Sequence, residues 1–243
     1  MPSSTLHLGA RRGVTVAAAL GVVSAYAAAN WIANHVSPVP GGRVGYVLAV
    51  PVLAGIALPA WVLARRDARV LGLSRRDALA LPGAVAAGAV VLGLLARGQP
   101  GAEPARLAGL ALHMIPPSLA ETLVFLGVLF DALRPRVGGV GAAAVASVAF
   151  GLYHFTFYPP WNTWSVALRL MLVWLAVSGV FVLTGSVWAA AAFNTLMAVT
   201  GFVVNRVTRL DGELVAIAAL LAVGALAVSA AVRVACPAAR RAS

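Results

Sequence analysis

The chain has 243 residues, 61% of them hydrophobic and only 10% charged, which excludes an ordinary soluble enzyme. Its net charge of +11 comes from 18 basic residues, all arginine. These cluster in short stretches between long apolar runs, where they orient membrane spans rather than bind nucleic acid.

Several apolar runs approach the roughly 20 residues that cross a bilayer as a helix. They are continuous rather than alternating, so a closed barrel is excluded. The expected fold class is all-α, a polytopic transmembrane bundle of about eight spans. A cytoplasmic N-terminal tail, 1–12, carries Arg11 and Arg12. Three spans follow within 13–106, at 13–35, 44–64 and 78–96. The small residues of AYAAA at Ala25–Ala29 resemble a leader-cleavage site, but the apolar stretch continues through NWIANHV and is read as a span. The region 107–206 holds four more spans, at 107–133, 138–157, 166–184 and 186–206. A last span, 213–232, and an Arg-rich tail complete 207–243.

With the N-terminus inside, twelve arginines fall on the cytoplasmic side and six on the outer side. That asymmetry predicts a multi-pass cell-membrane protein with both termini cytoplasmic. Trp161 and Trp164 in FYPPWNTW then lie in an outer aromatic belt. Cys236 is the only cysteine, so an intramolecular disulfide and a cysteine-based metal site are excluded.

Ionisable groups inside spans are costly and by default functional. Glu121, in SLAETLVFLGVLFDAL, is the one carboxylate near mid-span. Helical spacing puts Pro117, Ser118, Glu121, Thr122 and Phe125 on one stripe. A carboxylate there suits a general base; the alternative is a protonated side chain bonded for packing. His154 in AFGLYHFTF shares a face with Phe150, either as a chemical partner or as an interfacial histidine. Asn194 in WAAAAFNTLM can donate to a developing oxyanion or cross-link helices. A divalent metal such as zinc would need converging ligands. Glu121, His154 and His113 offer two nitrogens and an oxygen, but His113 stands about 12 Å up the helix from Glu121 unless Pro116 and Pro117 break it.

These residues fall in a recognisable order. ETLVFLGVL resembles the first motif, EExxFRGxL, of the CPBP intramembrane proteases, which include CAAX prenyl endopeptidases and bacteriocin-processing or self-immunity (Abi) proteins. AFGLYH resembles the second motif, FxxxH, and AAAFN the third, HxxxN. The resemblance covers roughly 107–206. It implies an intramembrane endopeptidase, metalloprotease-like by family name, acting on a membrane-associated peptide or protein and embedded in lipid. Glu121 and His154 would activate water and Asn194 would donate to the oxyanion. Phe125, Gly127 and Phe150 match scaffold positions. Thr122, Leu126 and Ala190 depart from the motifs, replacing a Glu, an Arg and a His. Those departures favour an alternative, a catalytically impaired member acting as a membrane binding or scaffold protein. A small transporter using Glu121 as a cation site ranks behind both, because no paired broken helices are visible.

Overall fold

Among the described residues several polar side chains are buried beside an apolar core, while many large apolar ones are exposed. Asn30, Asn34, Ser118, Thr122, Ser147, His154, Ser178, Asn194, Thr195 and Thr200 are buried, whereas Val140 is 85% and Leu112 70% exposed. In water that arrangement is unfavourable; in lipid, where the surroundings are as apolar as leucine, it is the stable one. The computed structural model describes residues 14–36, 50–65, 75–99 and 102–203. The expected tail 1–12, the last span 213–232 and the rest of 207–243 lie outside the described residues.

Among the described residues every regular element is helical. Helix α1, Val16–His35, is started by Thr15, whose hydroxyl accepts from the Ala18 amide. α2, Pro51–Ala64, begins as a wide π-type coil over Pro51–Ala57 and tightens over Leu58–Ala64. α3 runs Arg75–Ala96. α4, Pro104–Thr122, passes through Pro116 and Pro117 without ending, then widens into a π segment, Leu123–Phe130. α5, Asp131–Tyr153, carries a change of direction at Gly138, whose φ of 72° and ψ of 174° are open only to glycine at little cost. A 3-10 turn, His154–Thr156, closes it. α6, Trp164–Thr184, is capped by Thr163 at its start and ends on left-handed Gly185 (φ 64°), whose amide reaches the Phe181 carbonyl. Ser186 then accepts from the Ala189 amide and starts α7, Val187–Val203. A two-residue link thus folds α7 back on α6.

Among the described residues four stretches are long and apolar enough to cross a membrane, by length and composition: Val16–His35, Asp77–Ala96, Pro104–Thr156 and Trp164–Thr184. Pro51–Ala64 and Val187–Val203 are shorter apolar helices. The fourth and fifth expected spans, 107–133 and 138–157, lie in the third stretch, Pro104–Thr156, which changes direction at Gly138.

α3 and α4 both pack along α7, α5 along α6, α2 against α4, and the π segment against α5 and α1. The whole of Leu123–Phe130 is buried. Phe125 lies at its centre, edge-on to Phe150 at 5.5 Å and to Trp174 at 5.9 Å. Trp174 stacks on Phe150 at 3.7 Å. Each such pair adds about 0.5–1.5 kcal/mol beyond the burial itself. The buried hydroxyls of Ser147, Thr195 and Thr200 return to the carbonyl one turn back and need no other partner.

Candidate active site

The site grows from the last turn of α4. Ser118 and Thr122 are buried, and Glu121 between them is half-buried. That stripe meets the middle of α7. The Asn194 amide donates to Glu121 Oε2 at 3.0 Å, joining residues 73 apart in the chain. The same nitrogen lies 3.5 Å from the Ser118 carbonyl oxygen. A primary amide has two hydrogens; one is held firmly by the carboxylate, the other only by that long contact. Asn194 is therefore both a cross-link and a holder of the carboxylate, with one hydrogen weakly engaged.

The aromatic cluster holds His154 at the end of α5, and its contacts there are with Phe150, Tyr153 and Phe157. His154 is buried, edge-on to Phe150 at 4.7 Å and stacked on Phe157 at 5.1 Å. Its Nδ1 is 2.9 Å from the Phe150 carbonyl oxygen. A carbonyl can only accept, so Nδ1 bears the hydrogen and Nε2 keeps its lone pair for another partner. α5 can approach α6 closely here because Gly151 has no side chain: a Cβ would stand 2.8 Å from the Ala167 carbonyl oxygen.

The departures from the motifs are built into packing. Thr122 donates to the Ser118 carbonyl at 2.7 Å and is fully buried. Leu126 and Ala190 are also fully buried. Arg169 bonds Ser165, one turn back on its own helix, at 3.3 Å. Of the scaffold positions, Phe125 and Phe150 form the cluster just described. At Gly127 a Cβ would stand 3.2 Å from Leu63 on α2.

The described residues do not fit a zinc site. α4 stays helical through its proline pair, so His113 remains on the exposed side, two turns from Glu121. Among the described residues no three of His, Cys, Asp and Glu gather where one ion could hold them. No step below is routed through a metal.

Sequence reasoning missed two tyrosines. Tyr26 on α1 is buried, and its ring stacks on that of Tyr153 at 4.9 Å. Tyr26 also stands edge-on to Phe125 at 6.5 Å. The sequence held a trace of this: Tyr26, Asn30 and Asn34 recur every fourth residue in an otherwise apolar span.

In comparisons with known proteins, the family model for Type II CAAX prenyl endopeptidase Rce1-like matches residues 103–200. No curated protein and no solved structure matched the chain. The match starts at α4 and stops inside α7, enclosing Glu121, His154 and Asn194. Residues 103–200, the stretch that carries the three motifs, are thus similar to the CAAX prenyl endopeptidase family.

Proposed function

We propose that the protein is a glutamate-dependent intramembrane endopeptidase of the CPBP type that cleaves membrane-associated peptides. The observation that carries this reading is the Glu121–Asn194 bond, which brings the first and third motifs together within the matched segment. Glu121 takes a proton from water as the water oxygen adds to the peptide carbonyl. His154 presents Nε2 to the same water. The weakly held second hydrogen of the Asn194 amide turns from Ser118 to the carbonyl oxygen as that oxygen becomes negative. Collapse of the tetrahedral intermediate breaks the C–N bond, and the proton passes to the leaving amine.

The test is turnover of membrane-anchored peptides, prenylated and unprenylated, by full-length protein in liposomes. Glu121→Gln keeps the shape and the Asn194 contact but removes the base. It should cut the rate by roughly a hundredfold or more, with unchanged melting in detergent. Equal turnover by the variant would sink the proposal.

A second reading is favoured by the burial of Thr122, Leu126 and Ala190 in packing contacts. With those motif groups gone, the same site would bind a membrane peptide without cutting it. This reading predicts Glu121-dependent binding with no product at any time.

A further inference from the structure

The matched segment leaves out α1, yet α1 grips the turn that begins at His154. The Asn30 amide donates to Thr156 Oγ1 at 2.7 Å, across 126 positions of the chain. Thr156 gives its one hydrogen to the Tyr153 carbonyl, also at 2.7 Å. Its oxygen can therefore only accept from Asn30, which fixes the end of that amide facing it. The three groups form a chain of donors, Asn30 to Thr156 to Tyr153, in which each bond polarises the next. Asn34, one turn along α1, donates to the Asn30 carbonyl at 2.8 Å. One turn the other way, the Tyr26 ring stacks on that of Tyr153 at 4.9 Å. α1 thus holds Tyr153 by its ring and Thr156 by its hydroxyl, and His154 lies between them in the chain.

The end of α5 needs such a hold. The last carbonyls of a helix have no partner within it, and the final turn frays unless something caps it. A backbone bond from the Phe157 amide to the His154 carbonyl, at 3.1 Å, closes the 3-10 turn. Side chains cap two carbonyls before it: His154 Nδ1 that of Phe150 at 2.9 Å, and Thr156 that of Tyr153. The first of these caps sets the imidazole tautomer and leaves Nε2 bare. Were the turn to unwind, the ring would part from the Phe150 carbonyl and the hydrogen would be free to sit on either nitrogen. An amide buried in an apolar span commonly joins two helices and nothing more. Asn30, only 2% exposed, instead joins α1 to the turn that carries the ring.

We propose that Asn30 is a positioning residue for His154, acting through Thr156: the amide of α1 clamps the turn His154–Thr156, so that the ring keeps Nδ1 on the Phe150 carbonyl and Nε2 free for its partner. This deepens the endopeptidase reading and rests on it for the effect on turnover; the hold on the ring stands without it. Asn30 acts through the turn, so its loss should lower kcat and leave KM nearly unchanged.

The experiment uses full-length protein labelled with nitrogen-15 in its histidine rings and reconstituted in liposomes. The first readout needs no substrate. The ring-nitrogen resonances of His154, identified by their loss in His154→Gln, should show one tautomer in the wild type, with the hydrogen on Nδ1. Asn30→Leu removes the amide at similar size, and Thr156→Val removes the hydroxyl at nearly the same shape. Each should add signals of the other tautomer, and Thr156→Val carries the test if Asn30→Leu does not fold. Thr156→Ser keeps the hydroxyl and should match the wild type. Gly138→Ala, which loosens α5 far from the turn, should lower the melting temperature and leave the His154 signals where they are. The second readout is cleavage: in both clamp variants kcat should fall by about ten- to a hundredfold, as for a small misplacement of a reacting group, with KM within about twofold. A wild-type set of His154 signals in both clamp variants overturns the inference, whether or not the protein cleaves anything. So does an equal change in Gly138→Ala, or a changed set with unchanged kcat in a protein that does cleave. Absence of cleavage by the wild type, with the signals changed in the clamp variants alone, removes the endopeptidase reading and keeps Asn30 as the holder of the His154 ring.

Discussion

Asn194 holds more of this site than its small side chain suggests. Its amide spans the Glu121 carboxylate and the Ser118 carbonyl, so removing it strips a donor from two acceptors at once. Asn194→Ala should cost about 1–3 kcal/mol of stability, read as a lower melting temperature in detergent. It should also lower turnover more than a merely structural loss would. The two effects separate in a double-mutant cycle with Glu121→Ala: contacting groups couple by about 0.5–3 kcal/mol, and additivity within a few tenths would show that the bond contributes nothing. At this scale the sequence was informative for acids and amides. Glu121 and Asn194 stood out because a polar group in an apolar span is expensive, and they prove to be bonded to each other. His154 was visible by the same logic. Tyr26 and Tyr153 were not, because tyrosine passes as an apolar residue in a span until its hydroxyl is placed, and that placement depends on which face of α1 turns inward.

At the scale of elements, two glycines decide how the helices run and meet. Gly138 turns the long stretch Pro104–Thr156 at a backbone conformation that a side chain rarely adopts. Gly138→Ala should destabilise by about 1–3 kcal/mol. Gly139→Ala is the matched control: it meets nothing within 4 Å and lies in helix, so it should be neutral or slightly stabilising. Equal melting temperatures for the two variants would contradict the bend. Gly55 is the second case. Its close approach lets α2 seat both Tyr26 and Ala120, so Gly55→Ala should overpack that seam, at a cost of about 1–3 kcal/mol, and disturb Glu121 through its neighbour. The apolar runs were legible as helices from length and composition alone. What was not legible was their joining. From the fourth expected span to the fifth the helix continues except at Gly138, the one residue there with positive φ. Likewise Pro116 and Pro117 read as a break, yet α4 continues and the local widening falls one to two turns later, in Leu123–Phe130.

Among the described residues, asparagines, hydroxyls and a histidine are buried within an apolar core, and many leucines and valines are exposed. Composition announced that arrangement before any coordinate was needed. Composition could not announce that Asn30 of α1, outside the matched stretch 103–200, donates to Thr156 in the turn that begins at His154. Function then depends on whether a water held by Glu121 attacks a peptide bond. The most direct measurement is mass spectrometry of a membrane-anchored peptide incubated with the full-length protein in liposomes made up in water enriched in oxygen-18. The account predicts one labelled oxygen in the new carboxyl terminus of the product, and loss of that product with Glu121→Gln. Labelled product formed equally well by Glu121→Gln, or an unlabelled new terminus, would contradict it.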